Sequence, residues 1–248
     1  MILNIAAYHF VRIDAPRALA DALYARADAA GLRGTILVAP EGLNLFLAGA
    51  PDALVGFLDT LREDARFAGL QVKESHSEAM PFGRLKAKVK AEIITFRHAG
   101  TAPLDRPRAP AVASRDLARW LDQGHDDAGR PVVLLDTRNE EEVGHGSFAG
   151  ALTLPITDFT QLPDALAPHR PALADATVVS FCTGGVRCEK AALWMHDTGM
   201  DNVLQLEGGI LGYFEHVGGR HYDGACFVFD NRVALRPDLS PIAASAQD

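Results

Sequence analysis

Cys182, Gly184, Gly185, Arg187 and Cys188 are the residues of this chain whose types and spacing could do chemistry. A thiol becomes a nucleophile or a sulfur carrier when its surroundings favour the thiolate, and such surroundings can be read here. The run Val178-Val179-Ser180-Phe181 reads as a short buried strand that ends at Cys182, and Ala191, Ala192, Leu193 and Met195 follow at helical spacing. The two glycines between strand and helix let successive backbone N–H groups curl inward as an anion nest. The helix start adds about half a positive charge, and Arg187 adds a full one. Thr183, Gly184, Gly185, Val186, Arg187 and Cys188 therefore form a loop able to hold a thiolate, a persulfide or an oxyanion at Cys182. The competing reading is an inert buried cysteine beside a tight turn, which gives no reason for Gly-Gly, arginine and a helix start to coincide.

Arg187 lies five residues after Cys182, a C-x4-R loop. Cysteine phosphatases use C-x5-R, and the sixth residue here is Cys188. The loop resembles the active-site loop of rhodanese domains, which carry sulfur as a cysteine persulfide. Asp136-Thr137-Arg138, with Glu141 or Glu142 after it, resembles the D-x-R-x-x-x-E stretch of those domains. An acid and an arginine at a strand end serve to tie loops beside the site. His145-Gly146-Ser147-Phe148-Ala149-Gly150-Ala151 resembles their G-H-F-x-G-A segment, with Gly146 and Ser147 between His and Phe. His145 reads as a loop-fixing histidine or as a general base. Cys188 either resolves an oxidised or persulfidated Cys182 or simply packs. Cys226 sits in an apolar run and reads as buried. A C-x5-C pair with no further Cys or His pair is not a zinc spacing, so no metal is expected.

The elements that position these residues alternate strand and helix. Val132–Asp136 is a continuous apolar run, as in a strand buried on both faces. Ser114 is expected to cap a helix, Asn139–Val143 to be a short one, and Ala149–Leu154 to be a strand. With the strand at Val203–Leu206 and a helix after Gly208-Gly209, the pattern is an α/β domain with a parallel sheet over 112–236. Ligands of such sheets lie beyond the carboxyl ends of the strands, where Cys182 falls. Upstream, a strand over 2–13, a helix begun by Asp14-Ala15-Pro16, strands at Gly34–Ala39 and Leu43–Ala48, a helix over Pro51–Arg66 and strands at Leu70–Ser75 and Lys86–Phe96 give βαββαβ plus one strand. That order is an α+β ferredoxin-like domain over 1–97. The Pro- and Gly-bearing stretch 98–111 reads as an interdomain linker and 237–248 as a flexible tail.

The formal net charge is −8, divided into about +1 over residues 1–100 and −9 over 101–248. An acidic chain argues against broad nucleic-acid affinity, though not against a local basic face. One exists: Arg84, Lys86, Lys88 and Lys90 alternate with Leu85, Ala87, Val89 and Ala91. On a strand these four cations share one face at a spacing of ~6.6 Å. They form either a solvated strand face or a phosphate-tracking, RNA-binding stripe. No run approaches the ~20 apolar residues of a membrane span. The first residues lack a basic region and a cleavage site, so no signal peptide is expected. Three cysteines cannot all pair within one chain, which fits the cytoplasm.

The motifs together point to a narrower family. Cys182-Thr-Gly-Gly-Val-Arg-Cys-Glu-Lys190, Leu206-Glu-Gly-Gly-Ile-Leu211, Cys226-Phe-Val-Phe-Asp-Asn-Arg-Val233, Glu41-Gly-Leu-Asn44 and Pro81-Phe-Gly-Arg-Leu-Lys-Ala-Lys-Val-Lys-Ala-Glu-Ile93 resemble the rhodanese-containing tRNA uridine hydroxylases. The similarity runs from about residue 5 to 235. The resemblance implies an acylphosphatase-like domain followed by a rhodanese domain, and oxygen-dependent conversion of the wobble uridine to 5-hydroxyuridine. It implies Cys182 as the reactive residue, the tRNA anticodon arm as partner and molecular oxygen as co-substrate. No flavin, haem or iron motif is present in the sequence. The alternatives are a sulfurtransferase that takes sulfane sulfur from a small-molecule donor through a Cys182 persulfide, and a binding module whose loop only captures an anion.

Overall fold

The computed structural model describes residues 1–242, which form two compact units. The first comprises Met1–Thr95 and Asp230–Arg232. Its elements are β1 (Ile2–Phe10), α1 (Pro16–Ala29), β2 (Arg33–Ala39), β3 (Gly42–Gly49), α2 (Pro51–Arg62), β4 (Val72–Ser77) and β5 (Leu85–Val89). The sheet order β4-β1-β3-β2-β5 carries the ferredoxin-like βαββαβ topology, extended by β5. β5 runs parallel to β2, with Thr35 opposite Lys86 and Leu37 opposite Lys88. Leu3, Ile5 and Ala7 of β1, Ile36 and Val38 of β2 and Leu43, Leu45 and Leu47 of β3 share a core with Leu23 of α1 and Leu54, Phe57, Leu58 and Leu61 of α2. Full burial of each large apolar side chain is worth about 1.5–3 kcal/mol. The period-2 alternation of the strands sends the other side chains to the opposite face.

Several boundaries differ from the sequence expectations. Asp14 does not cap α1; Ala15 holds the cap position with Pro16 next, where a missing N–H costs nothing. The second helix stops at Arg62, and Asp64 then caps a short 3-10 turn at Ala65–Phe67 by accepting from the Arg66 N–H. β5 ends at Val89 rather than at Phe96.

The second unit spans Phe96–Phe229 and resumes at Val233. It contains β6 (Ala111–Val112), α3 (Ser114–Gln123), β7 (Val132–Asp136), α4 (Glu140–Val143), β8 (Gly146–Phe148), α5 (Leu162–Leu166), α6 (Arg170–Leu173), β9 (Thr177–Phe181), α7 (Val186–Asp197), β10 (Val203–Leu206), α8 (Gly209–Val217), β11 (Tyr222–Gly224), β12 (Cys226–Phe227) and β13 (Ala234–Leu235). A parallel sheet runs β6-β10-β9-β7, with every residue of β9 buried.

Residues 98–111 are not a free linker. Arg106 pairs with Asp197 at 2.7 Å, Arg108 with Glu189 at 2.6 Å, and the Ala109 carbonyl accepts from Gln205 before the chain enters the sheet at β6. Proline and glycine content marks the stretch as an interdomain linker; the arginines between the prolines fasten it to the second unit. Ser114 is the first residue of α3 rather than its cap, which is Ala113. The strand expected at Ala149–Leu154 is displaced to β8, which pairs with β11, while Leu152 makes a single bridge to Leu135. The expected flexible tail does not begin at Pro237. Arg236 and Ile242 hydrogen-bond through their N–H groups to the Ser240 and Ala234 carbonyls, and residues 243–248 lie outside the described part.

Candidate active site

Cys182 follows β9 at its carboxyl end and is only 1% exposed. Gly185 occupies the cap position of α7 with φ +101° and supplies no side-chain acceptor. The N–H groups of the first turn are thus left for another acceptor, and the Cys182 sulfur takes that place. Gly185 N–H donates to it at 3.2 Å, and the Arg187 N–H is directed at it too. Burial alone would raise the thiol pKa. The hydrogen bond from Cys188, the Arg187 charge and the two backbone N–H groups outweigh burial and bring Cys182 down to about 6. Cys188 moves the other way, raised by its own burial and by the Cys182 sulfur it serves. Its Sγ also lies 3.7 Å from Thr137 Oγ1, whose hydroxyl donates to the Phe181 carbonyl. The pair therefore divides the work: Cys182 is the thiolate and Cys188 the protonated donor.

Arg187 is not simply a counter-ion to sulfur. Its guanidinium makes a two-pronged pair with Glu142, Nη1 to Oε2 at 2.5 Å and Nη2 to Oε1 at 2.6 Å. Glu142 also accepts from Thr183 Oγ1 and from the Asn139 N–H. This buried carboxylate fixes the direction of Arg187 and the first residue of the loop together. The sequence left Glu141 and Glu142 as equal candidates; Glu141 is exposed and Glu142 is buried.

Asp136 and Arg138 are fully buried at the end of β7. Arg138 donates to Asp136 through Nε (2.9 Å) and Nη2 (2.6 Å) and reaches the carbonyls of Gly146 and Glu142, while Ser147 Oγ donates to Asp136. They tie β7 to α4 and β8, and so hold Glu142. The His145 carbonyl accepts from the Ala225 N–H, and its ring lies 5.3 Å from that of Phe227. Cys226 is buried, and burial pushes its thiol up to about 12.

A second glycine pair completes the cradle. Ile210 and Leu211 of α8 donate to the carbonyls of Cys182 and Thr183 at 2.9 and 3.0 Å. Gly209, at φ +62°, lies so close that an added Cβ would sit 2.5 Å from the Cys182 carbonyl oxygen. The Glu-Gly-Gly-Ile motif therefore clamps the back of the loop, a role its spacing alone does not disclose. The front is open, since a Cβ at Gly184 would meet nothing within 4 Å. Among the described residues no group of three or more His, Cys, Asp or Glu could hold a metal ion.

The basic stripe belongs to the first unit. Lys86 and Lys88 are exposed on the edge strand β5, Arg84 and Lys90 are exposed just beyond its ends, and Leu85, Ala87 and Val89 pack on the core. No helix among the described residues is long and apolar enough to cross a membrane.

Two family models match the chain: the UPF0176 acylphosphatase like domain over residues 2–93 and the Rhodanese-like domain over 116–216. A tRNA uridine(34) hydroxylase of Xanthomonas campestris pv. campestris is 63% identical over 246 residues, 99% of this chain and 97% of that protein. Proteins of the same name from Xanthomonas euvesicatoria pv. vesicatoria and Xylella fastidiosa are 62% and 59% identical, over 98% of this chain and 97% and 94% of theirs. This chain belongs to the tRNA uridine(34) hydroxylase family.

Proposed function

We propose that this chain hydroxylates the wobble uridine of tRNA at C5 in the cytoplasm, with the sulfur of Cys182 as its reactive group. The observation that carries the reading is the buried thiolate cradle inside a chain 63% identical to a tRNA uridine(34) hydroxylase along nearly its whole length. Molecular oxygen is the proposed oxygen source. The N–H groups of Gly185 and Arg187 and the Arg187 guanidinium hold negative charge on Cys182 sulfur, or on an oxyanion beside it, without reorganising. Glu142, Asp136 and Arg138 position that loop. Arg84, Lys86, Lys88 and Lys90 supply phosphate contacts to the anticodon arm. A sulfurtransferase would use the same cradle but leaves the cationic strand of the first unit without a role. The test is nucleoside mass spectrometry of tRNA from a deletion strain that also lacks any parallel route. Loss of 5-hydroxyuridine is expected; an unchanged level would overturn the reading.

A further inference from the structure

Phe229 is the most exposed phenylalanine, tyrosine or tryptophan among the described residues, at 56%. Its ring is 5.1 Å from that of half-buried Phe227, nearly perpendicular to it, and Phe227 is 5.3 Å from the half-buried His145 ring. Phe227 follows Cys226, which is buried against Thr183, the residue after Cys182. His145 lies three residues after Glu142, which grips Arg187 and Thr183. The backbone joins the two sides, with Ala225 N–H donating to the His145 carbonyl. Three rings thus form a chain from solvent to Phe227 and His145, near in sequence to Cys226 and Glu142, which touch the Cys182 loop. Val233, also exposed, sits across the turn, where its carbonyl accepts from the Val228 N–H.

We propose that Phe229, Phe227 and His145 form a stacking platform for an unpaired base of the anticodon loop, placed next to Cys182. The proposal rests on the tRNA reading above. Anion and sulfur chemistry at Cys182 needs no exposed ring, and that chemistry is already served by backbone N–H groups and Arg187. A planar base does need such a ring: single-stranded RNA is held by stacking splayed bases on aromatic side chains. Stacking is not an ion-pair interaction, so it leaves a signature different from that of the lysine strand.

The experiment measures binding of a synthetic anticodon stem-loop with uridine at the wobble position to the full chain over a series of salt concentrations. Phe229→Ala should weaken binding by about 5- to 150-fold at every salt concentration, with an unchanged slope of log affinity against log salt. Phe229→Trp should restore it. Melting temperature and the alkylation rate of Cys182 should stay at the parent's values, because Phe229 contributes to neither core nor cradle. If the parent binds and Phe229→Ala binds within twofold of it, or if its salt slope falls, the platform is overturned while the tRNA reading stands. A parent that does not bind the stem-loop overturns the tRNA reading, and the platform with it.

Discussion

At the residue scale the chemistry rests on unequal partners. Cys182 and Cys188 are the same residue type six positions apart, yet their surroundings drive their thiols in opposite directions. Cys182 lies at the mouth of an anion nest; Cys188 lies within α7 and donates to it. The alkylation rate of Cys182 should therefore titrate at about 6, well below the ~8.5 of a free thiol. Cys188→Ala should move it upward, and Cys188→Ser, which keeps a donor, should move it less. A rate that titrates like a free thiol in the parent would contradict the cradle. Glu142 is the second lever. Burial works to raise its pKa, but the Arg187 hydrogen bonds prevail and the carboxyl lies below its usual range. Its stabilising effect is complete above the unfolded value of ~4.3 and is lost as pH falls through the lower folded value. Urea unfolding should show Glu142→Gln about 3–5 kcal/mol less stable at pH 7, because Arg187 is left buried and uncompensated. The variant should also lack that component of the parent's acid loss. Equal stability at pH 7 would refute the assignment.

Among the elements, legibility followed locality. β9, the glycine turn and α7 are contiguous in sequence, so apolar run, Gly-Gly and helical spacing announced them. What escaped was long-range. Glu142 reaches Arg187 across 45 positions, and its neighbour Glu141 has the same side chain; only burial separates them. The clamp of Gly209 on Cys182 joins two loops whose motifs say nothing of each other. Residues 98–111 misled for a related reason: their Pro and Gly content describes local stiffness, whereas Arg106 and Arg108 find their carboxylates 91 and 81 positions away. The clamp makes a sharp comparison. Gly209→Ala adds an αL penalty of about 1–2 kcal/mol to a clash with backbone atoms that cannot yield. It should lower the melting temperature and abolish the low titration of Cys182. Gly184→Ala, where a Cβ meets nothing, should leave both near the parent's values. If both variants behave alike, the clamp is not what shapes the loop.

For the whole molecule, charge is the organising quantity. Of the net −8, residues 101–248, which carry the thiol, contribute −9, while residues 1–100 are near neutral at +1 and present an exposed cationic strand. A polyanion is repelled by the former and finds its attraction in the latter. Changing Lys86, Lys88 and Lys90 together to Gln should flatten the slope of log tRNA affinity against log salt by about two to three units. The parent's slope in that variant would return the stripe to a solvated face. The central claim is that Cys182 carries out the hydroxylation, and one measurement reaches it directly. A deletion strain without a parallel route is complemented with the parent or with Cys182→Ser, and its tRNA nucleosides are quantified by mass spectrometry. The parent should restore 5-hydroxyuridine and the variant, expressed to the same level, should not; equal restoration by both would contradict the account.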